Sequence, residues 1–343
     1  MLTIDLPISK SIANRLLLLQ ARYGDPLMEV SADMPDDVRL LHGALLRIAN
    51  DKGETLTIDT GNCGTAMRFL TAFCATQAGR MFVLSGCERM CERPIGQLVD
   101  ALRESGADIH YLRQEGFPPL EINGKHLSKR HITIDNPQST QFVSALLLAG
   151  IPAEVSFDSP YIRLTRYCMD NYRTLCSMPV EADWSAAAFW YEWLALHGSQ
   201  HSLFLKGLNA GSLQGDKKIA ELYEQLGVYT LFRPDGVVIT KSDRVVRSIK
   251  VDFSATPDLY PALVITCHRL GVSLQAEGTE RLQWKESNRL EAMQSVTGGS
   301  DAAYNDHRIA MALLAADRMP DNTGCISKSY PQFVNQLSVL QGV

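Results

Sequence analysis

Lysine, arginine and small hydrogen-bonding residues recur in this chain just ahead of apolar runs with helical spacing. Lys10 and Ser11 open residues 12–23, and Arg15 follows Ser11 by one helical turn on the same face. Gly61-Asn62-Cys63-Gly64-Thr65 separates the alternating run 54–59 from an apolar run, 66–78, that carries Arg68. Arg89 and Arg93 come next, and Arg93 stands directly before Pro94, a residue suited to a first helical position. Ser139, Thr140 and Gln141 precede the run 142–149, and Pro257-Asp258 precedes 259–270. Lys285, Glu286 and Arg289 open a run toward Met293; Asn305-Asp306-His307-Arg308 opens one through Ala316; Lys328 precedes the last. The chemistry these positions share is anion binding. Free amides of a first helical turn favour negative charge, and glycine lets the backbone approach a ligand. A lysine at a helix start opposes the macrodipole, a conflict that a bound anion removes. Each cluster alone also reads as an ordinary cap or glycine turn. Their recurrence in both halves points to a shared, strongly anionic ligand.

The elements that would position these residues follow an order of strand, helix, strand, helix, strand. Strands are expected over 54–59, 81–84, 107–112, 131–135, 153–157 and 201–205, with a further one after a turn at Gly227. Residues 101–107 and 222–228 are both amphipathic helix ends stopped by glycine, Gly106 and Gly227, before a strand. The likeness points to a repeated α/β unit in each half.

The chain of 343 residues is long enough for about two domains. Apolar residues at 45% and charged residues at 21% describe an ordinary soluble globular protein. A net charge of −5 gives a nucleic-acid partner no global electrostatic support, so anions must be held by local basic clusters. The eight cysteines are scattered without paired Cys-x-x-Cys spacing, and no His or Cys pattern requires a metal. Residues 1–7 carry an Asp and no basic region of a signal peptide, and no apolar run reaches the ~18 residues of a membrane span. A reduced, cytoplasmic protein is the expectation.

Taken in order, the motifs resemble those of the enolpyruvyl transferases, in particular the branch acting on shikimate 3-phosphate. The matching pieces are Ser9-Lys10-Ser11 with Asn14-Arg15, Gly61-Asn62-x-Gly64-Thr65-Ala66-Met67-Arg68, and Arg89-Met90-x-Glu92-Arg93-Pro94-Ile95. Ser139-Thr140-Gln141-Phe142, Gln214-Gly215-Asp216, Pro257-Asp258, Lys285-Glu286-x-x-Arg289, Asn305-Asp306-His307-Arg308 and Lys328-x-x-Pro331 continue the series. The chain departs from the family pattern by being shorter. Spacing is compressed between Arg15 and Gly61, between Tyr161 and Asp183, and between Met293 and Tyr304. Asn288 stands where Asp is more usual, Thr140 where Ser is usual, and Ser159-Pro160-Tyr161 lacks the customary basic residue.

The resemblance implies an α/β fold of two similar domains, each an inside-out barrel of three βαβαββ repeats. Residues 8–181 would form the first domain and 1–7 with 182–343 the second, with the active site in the cleft between them. It implies transfer of the enolpyruvyl group of phosphoenolpyruvate to the 5-hydroxyl of shikimate 3-phosphate, releasing phosphate. No cofactor, metal, nucleic acid or membrane is implied, and the chain would act as a monomer. Arg93, Arg289 and Arg308 would hold phosphoenolpyruvate with Lys10 and Lys328 nearby, and Asn62 and Gly64 would line its pocket. Gly64 would do so by leaving space for the ligand, while Asn62 and Thr65 shape and cap the turn. Ser11, Arg15, Ser139, Thr140, Gln141, Ser159 and Lys285 would hold shikimate 3-phosphate. Glu286 is assigned to protonation of the methylene carbon and Asp258 to the 5-hydroxyl, with Lys10 a rival for either role. Arg68 and Arg89 either bind or brace the loops. The alternatives are the branch whose acceptor is UDP-N-acetylglucosamine, which has a cysteine on a mobile loop near the position of Cys87 and Cys91, or a non-catalytic relative. Glyphosate is the inhibitor known for the family.

Overall fold

The structure, a computed structural model, describes residues 1–51, 53–128, 130–197 and 202–342. By its contacts the chain forms two compact units. One comprises Met1–Lys10, Asp33–Asp36 and Val180–Val343, the other Ser11–Ala32 and Asp37–Pro179. The first strand, β1 (Leu2–Asp5), belongs to the former, and its partner comes much later in the chain.

In the second of these units α1 (Lys10–Tyr23) and α2 (Asp36–Asn50) lead into a complete βαβαββ set. It consists of β2 (Thr55–Asp59), α3 (Gly64–Ala75), β3 (Met81–Ser85), the short α4 (Glu88–Cys91) with α5 (Gly96–Glu104), β4 (Asp108–Tyr111) and β5 (Leu120–Asn123). The strand order is β2-β3-β5-β4, with β2 and β3 parallel and β5 antiparallel to both its neighbours. Alternation in β2 acts as it should: Leu56 and Ile58 are buried, while Thr55, Thr57 and Asp59 face water. A shorter set follows: β6 (Ile132–Thr133), α6 (Gln141–Ala149), β7 (Ala153–Glu154), α7 (Pro160–Asp170) and α8 (Tyr172–Cys176). Its two strands pair in parallel. Almost wholly apolar, α6 is buried from Phe142 to Leu148 and lies against α3.

The other unit repeats this plan. After α9 (Trp184–Leu196), β8 (Ser202–Lys206) pairs in parallel with β1; α10 (Ile219–Glu224), β9 (Leu226–Arg233) and β10 (Gly236–Val245) complete the set in the order β1-β8-β10-β9. That is the same topology, strand for strand, as β2-β3-β5-β4. Then β11 (Ser248–Asp252), α11 (Tyr260–Leu270), β12 (Ser273–Glu277) and α12 (Arg289–Thr297) form a second trimmed set with one parallel strand pair. The helices α13 (His307–Ala315) and α14 (Phe333–Gln341) end the unit.

Three full repeats per half are therefore not found. Among the described residues each unit holds one full βαβαββ set and one trimmed to two strands. The compressed spacings explain this: α7 runs almost directly into α8, and the few residues between Thr297 and His307 leave no room for two strands and their connections. Other expectations shift more modestly. The strands expected over 131–135 and 153–157 shrink to two residues each. Pro94 lies in the turn before α5, which starts at Gly96. The strand expected over 201–205 is Ser202–Lys206, and His201 lies outside the described residues. Gly227 sits inside β9, not before it; its φ of +87° and the register shift opposite it mark a bulge.

The core of the larger unit is organised by α9, which is buried from Ala186 to Ala195. Trp190 packs against Tyr330 and Phe333, with centroids 6.5 and 5.3 Å away, and its Nε1 donates to Tyr330 Oη at 3.2 Å. Glu192 on the same helix has no solvent exposure, and neither of its carboxyl oxygens has a hydrogen-bond partner. Burial alone pushes its pKa well above the usual 4.5. The stability that the neutral acid contributes is thus complete below about 4.5 and is lost as pH rises toward the folded value. Glu192→Gln cannot titrate, so its stability relative to the parent should grow with pH by up to about 1.4 kcal/mol per unit across that window. Urea midpoints for both chains from pH 5 to 8 check this; parallel curves refute it.

Candidate active site

Residues 7–9 run antiparallel to 181–183. Ser9 N donates to Glu181 O at 2.8 Å and Asp183 N to Pro7 O at 2.9 Å. The side chain of Gln214 fastens the crossing: Oε1 accepts from Ser9 Oγ (2.9 Å) and Trp184 N (3.2 Å), and Nε2 donates to Ala182 O (2.8 Å). Asp183 caps α9 through the amides of Ser185 and Ala186 and also accepts from Lys10 N at 3.3 Å. Lys10 therefore starts α1 with a carboxylate at its amide.

Further along the same unit, Arg289 gathers three carboxylates. Its Nε donates to Asp306 Oδ2 (2.8 Å); Nη2 donates to Asp306 Oδ1 (3.2 Å) and Glu286 Oε2 (3.1 Å). Its Nη1 donates to Asp258 Oδ1 (2.8 Å) and to the Pro257 carbonyl (3.4 Å). Arg289 has no solvent exposure, and these contacts engage every N–H a guanidinium offers. The carboxylates have other cations too. Arg308 Nη2 lies 2.9 Å and Lys285 Nζ 3.5 Å from Asp258, and Lys328 Nζ lies 3.0 Å from Glu286. Burial by itself would raise the pKa of Asp258, but Arg308, Lys285 and Arg289 outweigh it and hold the carboxyl well below the ordinary range.

Local sequence sets these directions. Asp306 is the N-cap of α13, accepting from Arg308 N at 3.0 Å, so one residue both caps the helix and anchors Arg289. His307 follows it, 1% exposed, and neither ring nitrogen has a hydrogen-bond partner. Burial, then Lys10 and Arg308, keeps it neutral, its pKa well below 6.5. Thr256 Oγ1, Asn288 Oδ1, Arg308 Nε and Ser329 Oγ are also buried without partners. Most buried polar atoms find partners in native folds. Such a concentration around one ion-paired cluster makes it a candidate site for a polar ligand.

In the unit built on β2 and β3, the chemistry-bearing loops leave the ends of those parallel strands. Thr60 Oγ1 donates to Ser85 O (2.9 Å) and Cys87 N to Gly61 O (3.0 Å), tying the two loops together. Cys63, not Asn62 or Thr65, caps α3, its sulfur accepting from Ala66 N at 3.3 Å. Gly64 lies against two arginine side chains. A Cβ there would stand 2.7 and 2.8 Å from the terminal nitrogens of Arg93 and closer still to Arg68 Nη1. The missing side chain admits two guanidiniums. Arg68 Nη1 donates to Gly64 O (3.0 Å) and Gln141 Oε1 (3.1 Å), and Gln141 Nε2 donates to Thr65 Oγ1 (2.9 Å). Arg68 thus braces the loop, and Arg93, 6% exposed, stands beside it.

Ser139, Thr140 and Gln141 do meet a helix start, with Thr140 the residue before α6 and Ser139 Oγ accepting from Gln141 N. Ser159 precedes α7 in the same way and is buried. Arg15 is almost wholly buried. It donates to Thr165 Oγ1 (2.8 Å), Ser11 O (2.6 Å), Tyr161 O (3.1 Å) and Ser144 Oγ (3.4 Å). Sequence reasoning had no signal for Thr165 or Ser144, which sit inside helices away from any motif. It could have found Asp306 as an anchor, since a cap facing an arginine-rich run is legible locally. Cys87 is exposed, and burial pushes the Cys91 thiol up, which is the opposite of activation.

A family model for EPSP synthase (3-phosphoshikimate 1-carboxyvinyltransferase) matches residues 28–162 and 170–297. The 3-phosphoshikimate 1-carboxyvinyltransferase of Bacteroides fragilis (strain YCH46) is 35% identical over 395 residues, covering 98% of this chain and 94% of that one. The Vibrio atlanticus protein of the same name is 30% identical, covering 98% and 96%. Both alignments run longer than the 343 residues here, so this chain passes over segments its relatives carry. An EPSP synthase structure from Acinetobacter baumannii covers 98% of this chain and 95% of its own with a TM-score of 0.67 at 20% identity. The enolpyruvyl transferase NikO from Streptomyces tendae gives 0.63 at 14% identity, covering 99% and 94%. No described helix is long and apolar enough to cross a membrane. With relatives alike across nearly their whole length and a family model spanning most of both units, the chain belongs to the EPSP synthase family.

Proposed function

We infer that this protein transfers the enolpyruvyl group of phosphoenolpyruvate to the 5-hydroxyl of shikimate 3-phosphate, releasing phosphate, on the shikimate route to aromatic amino acids. The observation that carries the reading is the 35% identity, over nearly the whole chain, to an enzyme named for this reaction. In the balanced reaction the methylene carbon gains a proton, the 5-oxygen bonds to carbon 2, and phosphate leaves as the methylene is restored. We assign phosphoenolpyruvate to Arg93, Arg308, Lys10 and Lys328, with Asn62 and Gly64 beside it. Arg289 would join by exchanging one of its carboxylates for that of the substrate. Shikimate 3-phosphate is assigned to Ser11, Arg15, Ser139, Thr140, Gln141, Ser159 and Lys285. Asp258, kept ionised by its cations, is assigned to accept the 5-hydroxyl proton. Glu286 is assigned to protonate the methylene carbon, with Lys10 as the competing acid. Each unit would be a reduced form of the family's inside-out barrel, and the enzyme a cytoplasmic monomer. Phosphate release on mixing the protein with both substrates tests the reaction; none from folded protein overturns it.

Gly64→Ala should raise the KM for phosphoenolpyruvate about ten- to a hundredfold, because displacing a charge-assisted donor costs on the order of 1.5–3 kcal/mol. The atoms displaced are ends of flexible side chains, so the thermal midpoint should hold. The KM for shikimate 3-phosphate should stay near that of the parent. Initial rates with each substrate varied decide it; an unchanged KM for phosphoenolpyruvate sinks the role of Gly64.

A further inference from the structure

Residues 33–36 interrupt the division of the chain. The stretches on either side of them, Ser11–Ala32 and Asp37–Pro179, belong to one unit, yet these residues belong to the other, the unit that contains Lys328. Hydrogen bonds show what they meet there. Ser327 Oγ donates to Asp36 Oδ2 at 2.5 Å, and Gln332 Nε2 donates to the Asp33 carbonyl at 2.9 Å. The partners lie 291 and 299 positions apart in the chain, and Ser327 and Gln332 stand on either side of Lys328. Lys328 itself ends a five-residue 3₁₀ turn, Gly324–Lys328. Such a turn has poor hydrogen-bond geometry of its own, so contacts from outside decide where it sits. Ile326 and Tyr330, both buried, hold its inner side. The Ser327 hydroxyl has a single hydrogen, and the Gly324 carbonyl at 3.1 Å is its other acceptor; the shorter bond to a carboxylate is the stronger.

We propose that Asp36 is a positioning residue for Lys328: through the Ser327 hydroxyl it fixes the turn that delivers the Lys328 ammonium beside Glu286, and so to the anionic substrate. Lys328 Nζ lies 3.0 Å from Glu286 Oε1, and the lysine side chain is 12% exposed. A lysine carries its charge on a flexible four-carbon stem without the planar fork of an arginine. Where its head can reach therefore depends on where its backbone is held. Asp36 and Asp33 hold that backbone from both sides of Lys328, and neither touches the carboxylate cluster through any bond described above. Cutting the Ser327 bond leaves Lys328, Glu286 and Arg289 chemically intact and changes only the placement of the ammonium.

This role rests on the assignment of Lys328 to phosphoenolpyruvate. The experiment measures kcat and the KM for each substrate in the parent, Ser327→Ala, Asp36→Ala, Lys328→Met and the double variant Ser327→Ala/Lys328→Met. The expected result is a KM for phosphoenolpyruvate raised about tenfold in Ser327→Ala and in Asp36→Ala, the scale of one charge-assisted hydrogen bond. The KM for shikimate 3-phosphate should stay near that of the parent. In the Lys328→Met background Ser327→Ala should add less than about twofold, because the turn then has no ammonium to deliver. A full effect of Ser327→Ala in that background overturns the positioning role. So does a Ser327→Ala enzyme that loses stability to urea but keeps the parental KM, since the tie would then serve the fold alone. If Asp36→Ala does not fold, Ser327→Ala and the double variant decide. A Lys328→Met enzyme with an unchanged KM for phosphoenolpyruvate overturns the assignment of Lys328, and this role with it. Absence of turnover in the folded parent would instead refute the activity itself.

Discussion

Arg289→Met is expected to lower stability by about 3–5 kcal/mol and kcat/KM by at least about a thousandfold, because removing one side of a buried ion pair strands the other. Here three carboxylates, Asp258, Glu286 and Asp306, lose a shared partner that is itself fully buried. The effect carries a pH signature. Asp258 has a depressed pKa in the parent, so it contributes stability above its ordinary value of 3.8, and that contribution is lost as pH falls through the folded value. Without Arg289 the depression shrinks and Asp258 protonates more readily. The deficit of the variant should therefore be largest near neutrality and narrow as pH falls below about 5. Arg289→Lys should land between the two, keeping the charge but losing the planar fork. Urea denaturation across that range is the measurement, and a deficit that stays constant with pH contradicts this account of the cluster.

Glu286→Gln should lower kcat by about 10²–10⁴-fold, the usual share of a positioned general acid, with the KM for shikimate 3-phosphate little changed. Glutamine keeps the shape and can still meet Arg289, so the fold should survive where Arg289→Met suffers. Lys328 loses its ion-pair partner in this variant, and the KM for phosphoenolpyruvate can move with it. Single-turnover kinetics separates the two effects. A Glu286→Gln enzyme within tenfold of the parent in kcat, beside a Lys10→Met enzyme that is inactive but folded, would transfer the acid role to Lys10.

The family, the reaction it implies and the helix starts that bear its residues were readable from the chain. The reason is local. A cap, a glycine turn or a β alternation is written within a few residues, and ordered motifs survive even where intervening segments are gone. Leu56 and Ile58 announce β2, and Asp306 announces α13, with no help from distant residues. The repeat noticed at Gly106 and Gly227 proved to be the same join in two sheets of identical topology. The number of complete repeats was not readable, because sequence shows shortened spacing but not which strands it removes.

The use of each side chain was left to tertiary structure. That Gly64 makes room for Arg68 and Arg93, that Arg289 exhausts its donors on Asp258, Glu286, Asp306 and a carbonyl, and that Arg15 leans on Thr165 and Ser144 all depend on partners far away in sequence. The same holds for Glu192 and Asp216, two acids that look ordinary in the chain. One is enclosed by an apolar core and the other, also buried, accepts from the Ser185 hydroxyl. A residue's type determines what it can donate, accept or ionise. Burial and long-range contacts determine which of those possibilities is realised, because both the cost of desolvation and the choice of partner arise only when distant segments meet.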